Sequence, residues 1–247
     1  MILPNVRASF GRAEANFILG LLTRGDGRAR DREEERLREE GFDAILDDPR
    51  TLNAVLTAGG LTSVRAPLVS YLLVRHALLE GGINDRALAD YIAALLLEFG
   101  RTGRAHTVSV DDDEPETFNY LFEIIEKLDS ASGRRAFLLR AHLGNFALWY
   151  SGLFPDHITA RVHRRGAPGI DYYEEMGAAG FRMAADCRDA ENYGLDRLYR
   201  DCAQTFPALR IALNRIADRY LFPVTGDRID RLLRQVADQF RTEARSN

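Results

Sequence analysis

The chain has 247 residues, 46% of them apolar and 28% charged, with a net charge of −4. That length suits one large domain or two small ones, and the composition excludes disorder over most of the chain and any need for disulfides or metals to build a core. The slight acidic excess gives no strong nucleic-acid signal, because phosphate binding normally shows as a marked basic surplus.

From the N-terminus, Arg7, Arg12 and Glu14 interrupt what a secretion signal would need as an apolar core. Phe10, Phe17, Leu21 and Leu22 then fall close to one face of a first helix, about 9–23. The next segment, 28–40, is almost wholly charged. Its acidic and basic residues stand three or four apart (Glu34–Arg38, Arg32–Glu35), as in a solvated helix that serves as a mobile arm or meets a partner. Phe42, Ile45 and Leu46 start a short apolar patch, and Asp48-Pro49 reads as the N-cap and first position of a helix that stops at Gly59-Gly60. Helices are expected from Pro67 to Leu79 and, capped by Asn84, through Leu95-Leu96-Leu97.

Residues 100–116 break the pattern, with a short strand or extended loop suggested at Thr107 to Val110. A helix is expected over 117–128, then one long apolar helix over 134–154. Further helices are expected at 157–164 behind Asp156, at 172–190 behind Asp171, from Asp196, around Pro207 to Leu221, and finally through Ile229, Leu232, Leu233, Val236 and Phe240. Cys187 and Cys202 form no CxxC pattern, so free thiols in a reducing compartment are expected, not a zinc site. The longest apolar run, Leu143 to Pro155, falls short of the ~20 residues a membrane span requires. Only Lys127 among 33 basic residues is a lysine, an arginine bias expected of a GC-rich bacterial genome.

The expected fold is all-α. It is an irregular bundle of about ten helices around the apolar helix 134–154, with little or no sheet, in a single domain 1–247 whose one possible subdivision (1–100 and 117–247) lies near 100–116. No membrane partner, metal or cofactor is expected, and the protein reads as cytoplasmic.

Four features bear on chemistry. Asp112, Asp113 and Glu116 make a DDxxE spacing similar to that with which helical prenyl-transferring enzymes hold magnesium, but Pro115 sits inside it and capping of a helix start explains the acids as well. Arg101 and His106 make an R-x4-H spacing that resembles the pair used by all-α HEPN-class ribonucleases to polarise a phosphodiester and move protons. Here Gly103 falls between them, and a loop holding both by chance is the plainer alternative. The histidines form no HExxH or ExxH pattern, which leaves no helical metal motif. Lastly, His142, Asn145 and Trp149 recur at i, i+3 and i+7 on the long helix, and His157, Arg161 and His163 lie downstream, ahead of Tyr172 and Tyr173. Together these eight residues would line a small-molecule pocket, unless the polar ones only satisfy hydrogen bonds in the core.

Two functional readings follow. The first is a non-enzymatic protein–protein interaction or assembly module, acting on a protein partner or on itself through the charged segment and the amphipathic helices. The alternative is a small-molecule-binding protein or a HEPN-like phosphodiester hydrolase with a His/Arg site.

Overall fold

The computed structural model describes residues 1–59, 65–101, 103–109, 115–223, 234–236 and 238. Among them are thirteen α-helices and a single two-stranded sheet, so the fold is all-α. The aspartates of the DDxxE spacing, Thr102, Gly60 and most of the last expected helix lie outside the described residues. Among those described, no helix is long and apolar enough to cross a membrane. The chain divides into two compact units, Ile2–Gly100 and Arg101–Asn247.

The first unit holds α1 (Arg12–Thr23), α2 (Gly27–Glu40), α3 (Phe42–Asp47), α4 (Pro49–Thr57), α5 (Ala66–Glu80) and α6 (Arg86–Phe99). Asp48 caps α4 by accepting from the Arg50 amide at 2.9 Å. Asp85, one residue later than expected, caps α6 by accepting from the Ala87 and Leu88 amides. Asn84 instead accepts from Arg75 at 2.6 Å, and Arg75, fully buried, also donates twice to Asp47 at 2.7 and 2.9 Å. The charged segment is α2, which has no buried residue, yet ion pairs tie it to α4 and its cap: Arg36 to Asp48 at 2.6 Å and Arg50 to Glu33 at 3.0 Å.

The second unit opens with a 3-10 turn at Arg104–His106 and the strands β1 (Thr107–Val108) and β2 (Glu116–Thr117), antiparallel with Thr107 opposite Thr117. That pairing explains why the helix expected from 117 starts later, as α7 (Leu121–Leu128). Residues 116–118 bond back to the 106–108 segment, and Glu123 caps the new start by accepting from the Asn119 and Tyr120 amides. Then follow α8 (Gly133–Leu153), α9 (Pro155–Arg165), α10 (Ile170–Ala185), α11 (Arg188–Asn192), α12 (Asp196–Gln204) and α13 (Phe206–Ile216). The helix expected over 172–190 is broken between α10 and α11, where Cys187 adopts an extended backbone.

The segment expected as one long apolar helix is α8, buried along most of its length and packed against α7, α10 and α13. Its contact with α10 depends on glycine. A Cβ on Gly180 would stand 2.7 Å from the Gly144 amide nitrogen and 2.9 Å from the Arg140 carbonyl, and one on Gly144 would stand 2.7 Å from the Phe181 ring. At the far side of this core Arg210, fully buried, donates to Glu174 at 2.7 Å, to Asp238 at 2.6 and 2.9 Å and to Asn214 at 2.8 Å.

The glycine contact is testable. Gly180→Ala must force two backbones apart, and we expect it to cost about 1–3 kcal/mol or more in urea denaturation. Gly20→Ala, on α1 with nothing within 4 Å of the new methyl, should instead gain about 0.5–1 kcal/mol from helix propensity.

Candidate functional site

The second unit contains an open cleft of about 500 Å3. One wall is the hairpin region: His106 at the entry to β1, and Asn119 and Tyr120 between β2 and α7. Another is Tyr150, near the end of α8. The third is the last turn of α9, with Arg161, Arg164 and Arg165. Pro155 starts α9 directly after α8, and Gly166, with φ +60°, ends it, so the three arginines are set by the two ends of one short helix.

His106 is fixed by the hairpin. Its ring Nδ1 donates to the Phe118 carbonyl at 2.9 Å, and its own carbonyl accepts from the Phe118 amide at 2.7 Å. Behind it stand Phe146 and Trp149, edge-on at 5.5 and 6.3 Å between ring centres. Tyr150 is stacked between Phe146 and Tyr173, at 5.8 and 5.6 Å. The Arg161 guanidinium lies 5.0 Å from the centre of the Tyr120 ring, within reach of a cation–π attraction. Burial works against the Arg161 charge, but hydrogen bonding to Tyr150 and the nearby phenols outweigh it and raise its pKa. Burial also raises the Tyr173 phenol, against the pull of Arg161, and keeps it protonated.

This cleft gathers three arginines, against two in each of two other clefts among the described residues. Arg164 donates to the Ala160 carbonyl at 3.2 Å, and among the described residues neither Arg164 nor Arg165 has a carboxylate partner. In the first unit, a cleft of about 570 Å3 holds Arg24 and Arg50, the latter bound to Asp48 and Glu33. Another, of about 430 Å3, holds Arg182 and Arg200, the latter bound to Asp196 and near Asp186. Among the described residues no group of three or more His, Cys, Asp or Glu side chains is placed to hold a metal ion.

The candidates from sequence are partly brought together. Of the eight pocket candidates, only Arg161 lines this cleft. Trp149 and Tyr173 touch its walls from behind, and Tyr172 stands edge-on to Tyr173 at 5.9 Å. His157 is stacked on Phe154 at 5.7 Å, and His163 is exposed on α9 outside the lining. His142 and Asn145 are buried within α8, with 6% and 5% of their surface exposed, so neither reaches the cavity. His106 lines the cleft while Arg101 does not. Sequence reasoning missed Asn119, Tyr120, Tyr150, Arg164 and Arg165. The spacing of Arg161, Arg164 and Arg165, i, i+3 and i+4, was a visible signal for one cationic helix face. Nothing local marks Asn119 or Tyr120.

Burial pushes the His142 imidazole down to about 3, and the neighbouring His106 adds to the shift. The unfolded chain takes up that proton near pH 6.5, so acidification below about 6.5 favours unfolding until the folded form also titrates near 3. We expect His142→Leu to flatten the fall in stability between pH 6.5 and 4.5 by up to about 1.4 kcal/mol per pH unit, measured by denaturation at each pH. His76, which burial also lowers, leaves a residual slope of the same sign.

A scan against protein-family models and searches of curated proteins and of solved structures return no match for this chain.

Proposed function

We propose that this protein binds an anionic, phosphate-bearing small molecule in the cleft between the hairpin and α9. One observation carries the reading: three guanidiniums and an imidazole line one cavity with no carboxylate among the described lining residues. Arginine forks match phosphate oxygens in pairs, and an open cleft of this volume falls in the range of small-ligand sites. The C-terminal end of α9 gains some stability from its cations through the helix dipole. That gain does not require Arg161 to face Tyr120, Tyr150 and the cavity. The reading as an interaction module draws less support, because Arg36 and Arg50 engage carboxylates of α2 and Asp48 within their own unit.

Trp149 is the only tryptophan of the chain and stands edge-on to His106, so its fluorescence reports on the cleft. Inorganic pyrophosphate should change that emission saturably and less strongly at high salt. The double variant Arg164→Glu/Arg165→Glu, on two exposed side chains, should weaken binding at least tenfold with unchanged circular dichroism. An equal response from the variant removes this reading.

A phosphodiester hydrolase in the same cleft is the second reading, favoured by the His106 hydrogen bond. Since the Phe118 carbonyl can only accept, Nδ1 carries a hydrogen, and in the neutral ring Nε2 is the acceptor that general-base catalysis uses. Its arginine would be Arg161 in place of Arg101. Cleavage of a fluorogenic RNA dinucleotide that disappears in His106→Gln while pyrophosphate still binds is the expected outcome. No cleavage by the unmodified protein eliminates hydrolysis of this substrate and leaves the binding reading intact.

A further inference from the structure

The cleft carries more than charge. Tyr120 and Tyr150 supply aromatic rings to its lining, and Asn119 supplies a side-chain amide beside Tyr120. Tyr120 is 39% exposed, and its ring lies parallel to that of Phe122, which is 52% exposed, at 5.6 Å and 15°. Free inorganic phosphate would make no use of exposed aromatic surface, which costs free energy when left in water. A planar heteroaromatic ring would, by stacking on a tyrosine, while an amide offers one donor and one acceptor side by side, the pairing that reads the edge of a nucleobase.

Resting on the phosphate-binding reading, we infer that the ligand is a mononucleotide. Its phosphates sit against Arg161, Arg164 and Arg165, and its base lies against Tyr120 within reach of the Asn119 amide. The cation–π contact of Arg161 with Tyr120 joins the two halves of the site, since the same guanidinium that meets the phosphates holds the ring that meets the base. The specificity therefore lies in the hairpin region and the charge recognition in α9.

The test compares three probes on the full chain by calorimetry, with Trp149 emission as a second readout: pyrophosphate, adenosine and ADP. ADP should bind at least tenfold more tightly than pyrophosphate, and adenosine weakly. Tyr120→Ala, a substitution of an exposed side chain, should erase the advantage of ADP over pyrophosphate when both are measured on that variant. Tyr120→Phe should restore most of it. Equal affinities for ADP and pyrophosphate, or an ADP advantage that survives Tyr120→Ala, overturn the nucleotide assignment while the phosphate site stands. Binding of neither probe overturns both.

Discussion

The second unit depends on the close approach of α8 and α10. Where a Cβ on Gly180 would stand, the Gly144 amide nitrogen lies only 2.7 Å away, and Gly144 makes room for the Phe181 ring. At that separation the aromatic residues of the two helices must share one layer. Phe146, Tyr150 and Tyr173 stack in it, with Trp149 and Phe154 in contact at 4.9 Å. Of this layer, Tyr150 lines the cleft. A wider helix pair would separate Tyr150 from Tyr173, and Arg161, whose charge both phenols influence, would lose part of its surroundings. The geometry of the cations is thus set by side chains that carry no charge.

The buried cations of the two units solve a different problem. Arg75 and Arg210 both lose their water, which is costly unless every charge is matched by hydrogen bonds. Arg75 meets Asp47 and Asn84, and Arg210 meets Glu174, Asp238 and Asn214, whose own amide nitrogen donates to the Ser151 and Gly152 carbonyls. In each case the partners come from separate elements, so the guanidinium joins segments that apolar packing alone would leave free to shift. An arginine-rich composition therefore serves two ends here. Some guanidiniums are consumed as internal ties, while Arg164 and Arg165 of α9 stand exposed.

Periodicity made much of this legible. The length of the apolar run and its lack of an interior proline located α8 almost to the residue, and Asp48-Pro49 marked the start of α4, because both signals are local. What failed was non-local. The true start of α7 is set by pairing with residues 106–108, and nothing between 117 and 121 announces it. The glycines of α10 looked ordinary in the chain and acquire meaning only opposite α8. The site shows the same division. Arg161 was visible as a candidate, and His106 was visible beside Arg101, which does not line the cleft, since sequence suggests neighbours along the chain and the fold supplies them from across it. His142 and Asn145 share a helix face with Trp149 on paper, yet burial closes over the first two and leaves only the third at the cleft wall.

One consequence follows from how the hairpin holds His106. A carbonyl accepts the Nδ1 hydrogen whether the imidazole is neutral or cationic, so gaining or losing a proton at Nε2 requires no rotation of the ring and breaks no strand contact. The residue can change its electrical character while its posture stays constant.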